Sequence, residues 1–167
     1  MKSSSITKLT ACALIAMSAL SCTKSSKSSP TPTPTPVSAA FTFKVDGGAA
    51  ITVDSATAML YNLPGGARYM DVYAYKGGSE VLEFHLTPQT GSTTAGTTLG
   101  TTLMTYMETV TSSYDSQSGT LNVTTCDTPG NKIEGDFNFV GKVYPYTGST
   151  IHTITEGHMV VSKITKQ

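Results

Sequence analysis

Between Tyr114 and Val143 apolar and polar residues alternate on both sides of a turn-forming cluster, and this stretch constrains the fold more than any other. Leu121 and Val123 share one face of the first run, and Ile133, Phe137 and Phe139 share one face of the second, with Gly135 between them. Successive side chains of a strand point to opposite faces, so this spacing gives each run one apolar and one polar face. Asp127-Thr128-Pro129-Gly130-Asn131 between them supplies the residue types that tight reversals need. The stretch predicts a long β-hairpin.

The flanking sequence repeats the pattern. Phe41, Phe43 and Val45 alternate with Thr42 and Lys44 before a turn at Asp46-Gly47-Gly48, Ile51 and Val53 begin a second strand, and Leu63-Pro64-Gly65-Gly66 breaks the chain. Met70, Val72 and Ala74 alternate with Tyr69, Asp71, Tyr73 and Tyr75, and Leu82, Phe84 and Leu86 answer them across Lys76-Gly77-Gly78-Ser79. Two adjacent glycines allow the positive φ angles of a two-residue hairpin turn. Residues Gly91 to Gly100 read as a Thr/Gly loop, Thr101 to Ser112 as a strand or strand pair, and Thr150 to Thr155 and His158 to Ile164 as strands joined by a tight turn at Glu156-Gly157. With Thr, Ser and Gly abundant and good helix formers few, the expectation is an all-β domain over 39–167, an antiparallel β-sandwich or flattened barrel of about nine hairpin-connected strands.

Charge narrows the partners. The 167-residue chain is neutral overall, but from Val37 onward it holds seven basic and eleven acidic residues, a net charge of −4. A mildly acidic body gives no footprint for nucleic acid. Cys12 and Cys22 lie in or beside the N-terminal leader and Cys126 stands alone in the body, so no internal disulfide is expected there. The fold must rest on its apolar core, which a domain of about 130 residues can supply.

Residues 1–21 have the layout of an export signal. Lys2 and Lys8 precede an apolar stretch from Leu9 to Leu20, too short to span a bilayer. The leader ends in Ala19-Leu20-Ser21-Cys22, which resembles a bacterial lipobox. That resemblance implies that Cys22 becomes the first mature residue and carries lipid, anchoring the protein to a membrane. Residues 22–38 then read as a tether. Lys24 to Ser29 is Ser-rich, and the Pro-Thr repeat from Pro30 to Pro36 fixes φ at every second residue and favours extended polyproline II. At about 3.1 Å per residue that repeat holds the domain roughly 20 Å from its anchor.

The run from Tyr114 through Ser118-Gly119-Thr120-Leu121 to Val123-Thr124, then Lys132-Ile133 with Gly135, Phe137 and Phe139, then the Ile154-x-x-Gly157 strand, resembles a class of small Bacteroidota lipoprotein domains of unknown function. The opening Phe41-x-Phe43-x-Val45-Asp46-Gly47 is similar to their start. The resemblance implies a lipoprotein of the cell envelope, on the outer membrane and facing periplasm or surface. It brings no known activity.

No nucleophile elbow, P-loop, zinc helix or Cys-x-x-Cys pair is present, so neither an enzyme nor a cofactor is expected. His85, His152 and His158 are the candidates for a metal site, but His85 and His152 fall on the polar phases of their strands without ligand-spaced partners, and they read as exposed strand residues. Cys126 beside a histidine would suit a nucleophilic pair; at a strand end by a turn it reads as a partly buried structural cysteine. Asp115-Ser116-Gln117-Ser118-Gly119 lacks the repeated acids of a calcium loop and reads as a turn. Asp54-Ser55-Ala56 resembles the short acceptor at which Bacteroidota attach O-glycans, which makes Ser55 a candidate modification site.

The tyrosines are more suggestive. Tyr69, Tyr73 and Tyr75 share the polar phase of one strand with Asp71, and rings beside a carboxylate on a sheet face suit stacking and hydrogen bonding to sugar rings. The competing reading is that this face is the inner layer of a sandwich or lies under a loop. Two functions follow: a non-catalytic binding or adhesion module for glycan, peptide or a protein partner, and a lipocalin-like barrel carrying a small apolar ligand. An open tyrosine face favours the first, an internal apolar cavity the second.

Overall fold

The computed structural model describes residues 40–98 and 101–167; the leader, Cys22 and the tether lie outside the described residues. Eleven strands follow one another: β1 (Thr42–Val45), β2 (Ile51–Thr52), β3 (Ser55–Asn62), β4 (Arg68–Lys76), β5 (Ser79–Leu86), β6 (Gly91–Thr94), β7 (Leu103–Thr109), β8 (Ser112–Asp127), β9 (Lys132–Lys142), β10 (Ile151–Val161) and β11 (Ile164–Lys166). All belong to one sheet, ordered β11-β3-β4-β5-β7-β8-β9-β10-β1-β2, with β6 paired to the second half of β8. Pairing is antiparallel except where β11 joins β3 in parallel, so the sheet is mixed.

The expected all-β domain is present; where an antiparallel sandwich or flattened barrel of about nine strands is expected, eleven strands form one strongly curled mixed sheet, a half-barrel. The curl follows from connectivity. Only Val53 and Asp54 separate β2 from β3, and only Ser162 and Lys163 separate β10 from β11, yet in strand order each pair lies far apart across the sheet. Two intervening residues make three Cα–Cα steps, at most about 11 Å, so the sheet must bend until its ends approach. Backbone hydrogen bonds fix both passages: Val53 N–H donates to Phe41 O, Asp54 N–H to Tyr75 O and Ala58 N–H to Lys163 O.

The hairpin that anchors the sequence reading is present as β8 and β9, with Leu121 opposite Phe137 and Val123 opposite Gly135. Its turn is held by Asp127 Oδ1, which accepts from Gly130 N–H at 2.9 Å. The Gly77-Gly78 turn between β4 and β5 has both φ values positive, 58° and 79°, as the pair of glycines requires.

Four expectations are corrected. Glu156-Gly157 is a bulge inside the continuous strand β10, because Glu156 adopts φ 49° and the register to β9 slips between Ile154 and Gly157 without reversing the chain. The Asp115–Gly119 segment is strand, not turn: it lies within β8, whose register shifts between Ser116 and Ser118. There the buried Ser116 Oγ accepts the N–H of Met104 at 3.0 Å, in place of a ladder carbonyl. Part of the expected 91–100 loop is strand β6, because Gly91–Thr94 pairs along the second half of β8, which β7 is too short to cover. His152 does not lie on the polar phase of its strand; it shares the phase of the buried Ile154 at one end of the half-barrel, where Tyr106 and Tyr114 pack edge-on against its ring.

The inner face carries the core. Phe43, Met70, Val72, Leu82, Phe84, Met104, Leu121, Ile133, Phe139, Ile154 and Met159 are essentially inaccessible. Phe41, Phe84 and Phe137 meet at its centre with centroid separations of 4.8–6.2 Å and tilted or edge-on rings, the arrangement that ring quadrupoles favour.

Candidate functional site

In β4 the inward residues Met70, Val72 and Ala74 are buried, and the residues between them, Tyr69, Asp71, Tyr73 and Tyr75, are half-buried on the outer face. The four predicted candidates therefore share one face, and all eleven strands belong to the sheet that carries it, so no second sheet among the described residues covers them.

Cross-strand register decides what surrounds each side chain. Tyr69 stands opposite Tyr61, Tyr73 opposite Thr57 and Tyr75 opposite Ser55 on β3; on β5, Asp71 faces His85, Tyr73 faces Glu83 and Tyr75 faces Glu80. The face continues from Glu83 to Thr105 and Asp115, where Thr105 Oγ1 donates to Asp115 Oδ1 at 2.9 Å and the Tyr146 hydroxyl donates to Asp115 Oδ2 at 2.9 Å.

The face has two halves. At one end Tyr61, Tyr69 and His85 form a column, Tyr61 stacked on Tyr69 at 4.5 Å and Tyr69 beside His85 at 4.8 Å. Asp71 Oδ1 holds His85 Nδ1 at 2.6 Å and fixes the imidazole at the end of the column. The column opens into a cleft of about 250 Å³ lined by Tyr69, His85, Leu86, Leu103, Gly96 and the threonines Thr87, Thr97, Thr98 and Thr101. At the other end Tyr73 and Tyr75 lie beside Glu83 and Glu80. Desolvation, then the carboxylates of Asp71 and Glu83, push the Tyr73 phenol far above its ordinary range; desolvation and Glu80 raise Tyr75. Both phenols are neutral donors at neutral pH. Desolvation followed by like charge also raises Glu80 and Glu83.

Tyr61 and Glu80 carry no role in the sequence reading. Tyr61 precedes, and Tyr69 follows, the Leu63-Pro64-Gly65-Gly66 break, so a hairpin there pairs them; the glycine turn at 77–78 likewise sets β5 against β4.

The other candidates are dispersed. Ser55 is exposed at the start of β3, next to Asp54, whose Oδ2 accepts Gly77 N–H at 2.6 Å. The three histidines each sit against a different aspartate, His85 with Asp71, His152 with Asp46 at 2.6 Å and His158 with Asp136 at 2.8 Å. Among the described residues no three His, Cys, Asp or Glu side chains are grouped to hold a metal ion. Cys126 is half-buried against the core, and burial raises its thiol above the ordinary range, which disfavours the thiolate. A polar groove lined by Ser92, Thr120, Asn122, Asp136, Asn138 and His158 crosses another part of the outer surface.

No family model matches the chain, and neither the curated proteins nor the solved structures include a match to it.

Proposed function

We propose that this chain is a membrane-anchored lipoprotein, held at the outer membrane through Cys22, whose β domain is a non-catalytic binding or adhesion module for a glycan, peptide or protein partner. The Tyr69/Asp71/Tyr73/Tyr75 face is its contact surface. The observation that carries this reading is the placement of these four side chains, half-buried, on the outer face of a single sheet, in register with Tyr61, His85, Glu80 and Glu83. Tyrosine supplies large rigid contact area with little rotamer entropy to lose, and a carboxylate beside it accepts hydrogen bonds from a ligand. The leader ending in Ser21-Cys22 and the Pro-Thr tether support the envelope address and a spacing that frees the domain to reach a partner.

The two short passages between sheet ends support reading the half-barrel as the expected flattened barrel. The lipocalin-like alternative has less support, because Phe41, Phe84 and Phe137 pack together at the centre of the concave face where a carried ligand would sit. Screening the full-length chain against glycan and peptide arrays and against lipid vesicles tests the reading. A glycan or peptide ligand lost on Tyr73→Ala supports it, and binding confined to apolar lipids overturns it.

A further inference from the structure

We propose that the Tyr73/Tyr75/Glu80/Glu83 half of the outer face docks an extended, cationic polypeptide segment whose alternate Lys or Arg side chains seat between the rings and the carboxylates. The inference rests on the binding-module reading above and narrows its ligand to one charge and one backbone shape.

Charge is the first ground. Asp71 is matched by His85 at 2.6 Å, but among the described residues neither Glu80 nor Glu83 forms an ion pair. Glu80 Oε1 is shielded from solvent and accepts no hydrogen bond. A shielded carboxylate oxygen without a donor is costly to hold in a folded chain, and a donor brought by a ligand removes that cost. Glu83 feels Asp71 and Asp115 as like charges, and the opposing influence, His85, is already engaged by Asp71. The Tyr73/Tyr75/Glu80/Glu83 half of the face thus lacks positive charge and N–H donors, which an Arg or Lys side chain supplies together and a neutral glycan supplies only in part.

Aromatic geometry is the second. Tyr73 and Tyr75 stand directly across from Glu83 and Glu80, so each carboxylate has a ring beside it. A cation within about 6 Å of a ring centroid is attracted by its π face while the carboxylate neutralises its charge.

Spacing is the third. The pairs Tyr75/Glu80, Tyr73/Glu83 and Asp71/His85 recur at every second residue of β4, with one extra residue, Val81, bulged from β5 between the first two. That repeat is about 6.8 Å, the distance between same-side residues of any extended chain. A peptide in β conformation laid along β4 therefore brings successive same-side side chains over successive pairs, which a compact cation or a flat anionic bilayer does not.

The test is fluorescence anisotropy of the full-length chain with labelled octapeptides of alternating Arg-Ser and alternating Glu-Ser, at about 50 mM salt, where exposed charges are weakly screened. The proposal expects binding of the Arg-Ser peptide and none of the Glu-Ser peptide. It further expects Glu80→Gln/Glu83→Gln to weaken binding about tenfold or more, and Asp136→Asn/Glu156→Gln, which removes two charges elsewhere on the outer surface, to change it less than about twofold. A thermal melt confirms that both double variants fold. Failure of the Arg-Ser peptide to bind, or equal loss in the two double variants, overturns the proposal. If the Arg-Ser peptide fails while another ligand binds wild type and is lost on Tyr73→Ala, the cationic inference falls and the binding-module reading stands. If nothing binds, both fall.

Discussion

The ring of Phe137 lies against Gly157 across the β9–β10 ladder, so close that a Cβ on Gly157 would stand 2.5 Å from the ring. Gly157 follows the positive-φ residue Glu156 in the bulge, and the missing side chain leaves the space that Phe137 occupies between Phe41 and Phe84. Gly157→Ala should destabilise the domain by about 1–3 kcal/mol through overpacking. Phe137→Ala should cost about 3–5 kcal/mol through the cavity it leaves. Urea unfolding measures both; an unchanged midpoint in either variant contradicts this account of the core.

Glu80 and Glu83 should weaken the fold at neutral pH. Their carboxyls titrate above the ordinary range in the folded state, so the native chain binds more protons than the unfolded chain between the two values. Stability from this source falls as pH rises through that window. Glu80→Gln/Glu83→Gln should therefore raise the melting midpoint at pH 7, and the gain should shrink as pH falls through the raised folded values and be gone below about 4.3, the ordinary glutamate value. A gain that is constant across pH, or a loss at pH 7, contradicts the placement of these carboxylates.

Asp46 has the opposite sign. The Thr153 N–H, then the His152 side chain, hold its carboxyl below the ordinary range, so its contribution is complete above about pH 3.9 and is lost as pH falls through the folded value. Asp46→Asn should lower the midpoint at neutral pH and flatten its decline in acid. Melting curves of both proteins across acid pH check this; parallel declines contradict it.

Cys22→Ala should abolish lipidation and move the protein out of the membrane fraction, as the lipobox resemblance implies. Fractionation of host cells decides it, and unchanged membrane association contradicts the proposed anchor. Ser55 is exposed where β3 begins. If it carries an O-glycan, intact mass from the natural host exceeds that of the lipidated polypeptide, and Ser55→Ala removes the excess; an unmodified host mass dismisses the site.

Much of the fold is legible because strand phase is written in alternation: Leu121, Val123, Ile133, Phe137 and Phe139 all fall on the buried side. What was not legible depends on long-range pairing. Glu156-Gly157 has the composition of a turn, and only the ladder to β9 on one side and β1 on the other makes it a bulge. Gly91–Thr94 carries no apolar alternation and becomes β6 because β8 offers an unpaired edge. His152 lies close to that bulge, and its phase follows from Ile154 at its side of the slip. The four residues of the tyrosine face were legible from one strand alone, whereas the glutamates and Tyr61 that complete it needed the register of its neighbours.

Binding by Tyr73→Ala, measured together with its melt, tests the central claim most directly. Tyr73 occupies the middle of the face, between Thr57 and Glu83 and beyond the Tyr61–Tyr69–His85 column. With a glycan or peptide ligand identified on the full-length chain, the account predicts at least about tenfold weaker binding, as for a central aromatic contact, and a melting midpoint nearly that of wild type. Unchanged affinity, or affinity lost only together with the fold, would contradict it.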